Sequence, residues 1–284
     1  AGFFITVLAT TGVLIVLALL SVFLPVNDLN IAGMTMSVYN LISQYILIIG
    51  SIVALVFLAV AGNEKRAAAG LTRQNWKSAV LIVLAFVGIY IVRTVVSVAV
   101  QGVSDGSGMQ YVKEWAAMFK NPMMWLNIAA LPINYFFVFI AFFGEEYGWR
   151  YYLQPVLQKR FGLRAGVIIL GVVWGLWHIP DDLFYYTQTS GIQMIFAQQI
   201  TCISLGIFFA YAYMKTQNIW VPVCLHYLNN NLIPIISGTF SADVLENQTV
   251  SWKDLPVALV LNGLCFGFFL LADVFKKKEV QEEE

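Results

Sequence analysis

Charge is scarce in this sequence. Only 11% of its 284 residues are charged, against about 25% in a typical soluble domain, and that shortage excludes a water-soluble globule. Disorder is excluded as well, because disordered chains are poor in apolar residues and this one is 60% hydrophobic. Its 16 basic and 16 acidic residues cancel, so the basic excess that nucleic acid calls for is missing. Cysteine is rare too. Cys202, Cys224 and Cys265 fall inside apolar stretches and form no C-x-x-C pair, which excludes a disulfide framework or a zinc ribbon. No G-x-S-x-G or H-E-x-x-H occurs, and there is no internal repeat, Gly/Ser linker or low-complexity tract. The whole chain holds two histidines.

What is present is a series of long apolar runs. A bilayer core about 30 Å thick takes roughly 20 apolar residues per helix. Gly2–Leu24, Leu41–Ala61, Ala79–Val100, Met124 through Phe143 into Glu145 and Glu146, Leu163–Ile179, Ile192–Met214, Ile219–Ser237 and Leu255–Phe275 are read as spans. The expectation is therefore all-α: a polytopic membrane helix bundle of about eight transmembrane helices. It is read as a single membrane-embedded domain over 1–284, with a charged tail at 276–284. The first run lacks a basic leader and a small-residue cleavage pattern, so it reads as a retained helix.

Basic residues in short loops set orientation. Twelve of the sixteen, among them Lys65, Arg66, Arg73 and Lys77 in one loop and Lys276–Lys278 at the end, fall on one side. Lys113, Lys120 and Lys253 fall on the other, and Arg93 lies within a span, where an ion pair is expected for it. This split predicts a multi-pass protein of the cell membrane with both termini cytoplasmic. Asn247-Gln248-Thr249 matches a glycosylation sequon in a predicted outer loop.

An ionisable residue inside a membrane costs several kcal/mol and marks a functional site by default. Here such residues cluster. One span carries Glu145-Glu146-Tyr-Gly-Trp-Arg150, the next Trp174-Gly-Leu-Trp-His178-Ile-Pro180, and a third His226-Tyr-Leu-Asn229-Asn230-Asn231. Helical spacing places Glu146 and Arg150 on one face as an i,i+4 ion pair, while Glu145 projects about 100° away. His226 shares a face with Asn230, and Trp174 with His178. Glu145 and His178 are equidistant in sequence from Phe161-Gly162. A helical hairpin turning there brings them level, roughly 24 Å from the turn. This requires the Glu145 helix to continue to about Lys159. A turn near Gln217 brings His226 and Asn230 to a similar layer.

A carboxylate facing an imidazole can activate water, the Glu as general base and the His orienting or shuttling the proton. A second His with an Asn can donate to a developing oxyanion. Together they suit hydrolysis of an amide bond in a membrane-associated peptide or protein. Two other readings stay open: a non-catalytic peptide-binding or bacteriocin-immunity membrane protein, and a proton-coupled transporter. The transporter reading has against it the lack of repeated broken helices.

The three motifs resemble those of the CPBP family, the CAAX proteases and bacteriocin-processing (Abi) enzymes, with their order E-E-x-x-x-R, aromatic-x-x-x-H and H-x-x-x-N. The wording around Trp149-Arg150 and Trp174–Pro180 is most similar to the bacterial branch. Two positions depart from the family pattern: Tyr151 stands where glycine is common, and Trp174 where Phe is usual. The resemblance covers about residues 125–235 and implies an intramembrane glutamate-type endopeptidase with its core catalytic region there. It implies Glu145 as the water-activating residue with His178 its partner, Glu146, Arg150 and Trp174 in support, and His226 with Asn230 as the oxyanion pair. The substrate it implies is a CAAX-type protein, a bacteriocin precursor or a signalling peptide. Glu145, His178 and His226 could instead form a His₂-carboxylate zinc site. No cofactor is favoured, because a carboxylate that acts as base is not available to ligate and no H-E-x-x-H is present.

Overall fold

The computed structural model describes residues 1–31, 34–104, 106–107, 109–237 and 248–276. The sequon residue Asn247 and the tail from residue 277 onward lie outside the described residues. The regular structure of the described chain is helical apart from one antiparallel hairpin, β1 (Leu29–Ile31) paired with β2 (Met34–Met36). Among the described residues, six helical stretches are long and apolar enough to cross a bilayer. They are α1 (Gly2–Phe23), α2 (Val38–Val60), α4 (Trp76–Ser104), the stretch from Pro122 to Phe161, the stretch from Leu163 to Phe184, and α10 (Gly191–Thr216). Short helices α3 (Asn63–Ala68) and α5 (Gln110–Met118) join them.

The seventh and eighth expected spans are present as helices but fall short of those criteria. α11 (Trp220–Ser237) carries His226 and three asparagines, which lower its hydropathy. α12 (Asp254–Cys265) is only 12 residues long. Gly267 interrupts the run, and the chain continues in 3₁₀ turns, Gly267–Leu271 and Asp273–Phe275.

Two compact units are distinguished: residues 1–72 with 129–145, and residues 73–128 with 146–284. In the first, α1 packs on α2. Lipid gives helices no hydrophobic drive to associate, so small residues that permit close approach set the contacts. Gly50 of α2 lies so close to Thr10 that a methyl group there would overlap the threonine side chain. Outward-facing Ile5, Leu8, Val56 and Val60 are exposed, an arrangement suited to lipid and unfavourable in water.

In the second unit the tightest pairing is between α8 (Leu163–Trp177) and α10. Gly171 and Gly206 meet at the crossing, and a Cβ on Gly171 would lie 2.6 Å from Ile203 Cα. Around it pack Phe86, Phe208, Phe209 and Phe266, all fully buried, with Phe86 5.6 Å from both Phe208 and Phe266 ring to ring.

The predicted hairpin is present. The chain passes from α6 (Pro122–Glu146) through a π-helical turn (Tyr147–Leu153) into α7 (Gln154–Phe161). It then reverses at Gly162, whose φ of +89° is a conformation glycine adopts without a Cβ penalty. The turn at Gln217 is also where expected, with that residue left-handed at φ +50°.

Candidate active site

Four helices of the second unit supply the site. Arg150 sits in the π turn, a widened helical turn of the kind often found at functional sites. Glu146 begins that turn and Arg150 lies within it, and both side chains are closed to solvent. Their pairing is as expected: Arg150 Nε donates to Glu146 Oε2 at 2.9 Å. Arg150 Nη1 also donates to the Gly206 carbonyl at 3.1 Å. The guanidinium carbon lies 5.5 Å from the ring centres of both Trp174 and Phe209. The buried cation is thus held by one carboxylate, one carbonyl and two aromatic faces.

The second oxygen of Glu146 has a partner that the spacing of motifs does not reveal. Glu146 Oε1 accepts from His226 Nδ1 at 3.0 Å, joining α11 to the end of α6. A neutral His226 that donates from Nδ1 keeps its lone pair on Nε2. The Trp174 ring stands between the two histidines, 5.4 Å from His226 and 5.9 Å from His178, edge-on to each.

His178 occupies the break between α8 and α9 (Ile179–Phe184). Pro180 has no N–H to continue the α8 ladder, so the helix stops and restarts there. His178 Nδ1 lies 2.9 Å from the Trp174 carbonyl. A carbonyl can only accept, so Nδ1 carries the proton and Nε2 is the acceptor. Asn230 is exposed on the same face of α11 as His226, and its Oδ1 accepts from Asn229 Nδ2 at 3.0 Å. Its own amide N–H groups remain as donors.

A cavity of about 200 Å³ gathers His178, His226, Trp174, Asn229 and Asn230 into one wall system. Of the residues expected at the site, His178, His226, Asn230 and Trp174 line it, and Glu146 with Arg150 stand behind His226. Glu145 ends the α6 segment of the first unit and is half-buried.

Several lining residues were not expected at the site from the sequence. Gln198, Thr201, Cys202 and Leu205 recur at i, i+3, i+4 and i+7 on α10 and present one helix face to the cavity. Cys202 Sγ is 3.8 Å from His178 Nδ1. Tyr185 and Tyr186 complete the wall. Their loop is pinned to the residues before α12 by Gln248 N–H donating to the Tyr186 carbonyl at 2.8 Å and Val250 N–H to Ser190 Oγ at 3.0 Å. The signal that could have found the α10 face was its uncharged polar residues at helical spacing. Among the described residues, no three His, Cys, Asp or Glu side chains form a group that could hold a metal ion.

Residues 127–232 match a family described as type II CAAX prenyl endopeptidase Rce1-like. The match spans all three motifs and supports the resemblance drawn from them. CAAX prenyl protease 2 of Methanococcus maripaludis is 27% identical over 125 residues, covering 41% of this chain and 45% of that protein. The chain thus spans less than half the length of the curated relative it matches. No solved structure matches.

Proposed function

We propose that this multi-pass membrane protein, whose residues 127–232 match the Rce1-like type II CAAX prenyl endopeptidase family, is an intramembrane endopeptidase. Its substrate is a membrane-associated peptide or protein, CAAX-type before a bacteriocin precursor or signalling peptide. The observation that carries this reading is the convergence of His178, His226 and Asn230 on one cavity, with a fully buried Arg150–Glu146 pair fixing His226.

In this scheme Glu145 takes a proton from water, and the hydroxide so formed attacks the scissile carbonyl. His178, locked by its bond to the Trp174 carbonyl, orients that water through Nε2. Charge develops on the carbonyl oxygen, where Asn230 and His226 donate. In that role His226 is doubly protonated, with Nδ1–H donating to Glu146 and Nε2–H to the oxyanion. The proton held by Glu145 passes to the leaving amine as the C–N bond breaks. No metal enters the scheme. The basic-residue bias supports placing both termini in the cytoplasm.

The test is cleavage of a prenylated CAAX-type peptide by the purified protein in liposomes. Glu145→Ala and His178→Ala each abolish product formation, while both variants insert and elute as wild type does. Retained cleavage by either folded variant refutes the mechanism. Failure of the wild type on every prenylated peptide, with membrane peptidomics still showing products that depend on Glu145, would move the substrate class and leave the chemistry standing.

A further inference from the structure

A second cavity, of about 510 Å³, lies between α4 and the first turns of α12 with the residues just before it. It is distinct from the candidate active site in every residue that lines it. Arg93, Ser97, Gln101 and Ser104 form one wall. Their spacing of four, four and three places them on a single face of α4, so a helix that is otherwise apolar carries a polar stripe along one side. Lys253 and Asp254 stand on the opposite wall.

Arg93 is the deepest charge of the stripe, eleven residues or roughly 16 Å of helical rise from Ser104. The sequence led us to expect an ion pair for it. Among the described residues no carboxylate lies within salt-bridge distance of Arg93. Its guanidinium instead sits 5.9 Å from the Tyr90 ring centre, and its Nε is shut off from solvent with no acceptor among the described residues. A guanidinium held at membrane depth without a counter-charge is costly, and its planar donor fork suits phosphate. Asp254, across the cavity, is not within salt-bridge distance of Arg93; its Oδ2 accepts from the Ser251 N–H at 2.8 Å.

The two cations and one carboxylate on the cavity walls leave one net positive charge. A phosphodiester carries one negative charge and supplies acceptor oxygens, and the hydroxyl and amide groups of Ser97, Gln101 and Ser104 can donate to a polar headgroup. The apolar residues of α4 beyond the stripe, Val92 and Val96 among them, are exposed and suit acyl chains. We propose that this cavity binds the headgroup of an anionic phospholipid, with Arg93 on the phosphate and Lys253 at the opposite wall.

The full-length protein, purified in detergent, tests this by thermal unfolding and native mass spectrometry. The probes are phosphatidylglycerol, phosphatidylcholine and inorganic phosphate. Phosphatidylglycerol raises the unfolding temperature and remains bound in the spectrum, phosphatidylcholine does so far less, and inorganic phosphate does neither. Arg93→Gln weakens phosphatidylglycerol binding about tenfold or more, as expected for a lost charge-assisted bond. Because Arg93→Gln could compromise folding, Lys253→Gln, at an exposed position, provides the independent arm and weakens the same binding severalfold. Lys113→Gln, which does not line the cavity, leaves it unchanged. Equal binding of the two lipids, or undiminished phosphatidylglycerol binding by Lys253→Gln together with any folded Arg93 variant, overturns the proposal. Equal protection by inorganic phosphate reassigns the site to a free anion and overturns the lipid assignment.

Discussion

Replacing Arg150 by Met tests what holds the site's rear wall. The substitution keeps an unbranched side chain of similar reach but removes the bond to Glu146 at 2.9 Å, the bond to the Gly206 carbonyl at 3.1 Å and the cation between two rings. Glu146 is then a carboxylate with no solvent exposure whose remaining partner in this cluster is His226. Breaking one side of a buried ion pair costs about 3–5 kcal/mol. The Glu146–His226 bond offsets part of this, so the lower end is expected, about 3 kcal/mol. The double variant Glu146→Gln/Arg150→Met removes both charges. Its expected loss is smaller, about 1 kcal/mol, because an apolar or neutral replacement of a buried pair is often nearly neutral. The double variant should therefore be more stable than the single one, by roughly 2 kcal/mol on these magnitudes. The assay is reversible unfolding in mixed micelles, with midpoints and slopes compared across the four proteins of the cycle. A single Arg150→Met variant as stable as wild type, or a double variant no better than the single, refutes the reasoning.

Three further outcomes follow from the same geometry. Asn230→Ala should lower kcat of the proposed peptidase about 10²- to 10³-fold with little change in KM, the signature of a lost oxyanion donor; steady-state kinetics in liposomes checks this. Gly171→Ala should destabilise by about 1–3 kcal/mol, since the new Cβ would lie 2.6 Å from Ile203 Cα, a backbone atom that cannot swing aside; thermal unfolding against wild type measures it. Dialysis against a chelator should leave peptide cleavage unchanged, with elemental analysis finding no stoichiometric zinc. Lost activity restored by zinc would overturn the metal-free scheme.

Local features were legible in the sequence, and features joining distant residues were not. The Glu146–Arg150 pair follows from a spacing of four on one helix, and it is present at 2.9 Å. The hairpin turn was legible because Phe161-Gly162 lies midway between Glu145 and His178, just after the basic Lys159-Arg160, and Gly162 there takes a positive φ. The His226–Glu146 bond was not, because it joins residues 80 apart, and only packing of α11 against the end of α6 creates it. The π turn at Tyr147–Leu153 leaves no signature in hydropathy. The α10 wall was missed for a different reason: Gln198, Thr201 and Cys202 carry no charge, so a search for ionisable groups passes over them. The eighth run was read as one span because hydropathy is blind to the break at Phe266 and Gly267, where the α-helix gives way to 3₁₀ turns.

Packing and chemistry meet at the α8–α10 crossing. Gly171 and Gly206 let the two backbones approach closely, the means by which helices associate in lipid without a hydrophobic drive. The same approach leaves the Gly206 carbonyl accessible to Arg150, and the carbonyl accepts from Nη1. It also holds Trp174, one turn along α8 from Gly171, against Phe209 at 5.9 Å, so the pair enclose the guanidinium. A larger residue at the crossing would therefore separate the helices and withdraw a carbonyl and both aromatic faces from the cation together. The glycines are structural in what they touch, yet the position of Arg150, and through Glu146 that of His226, depends on them.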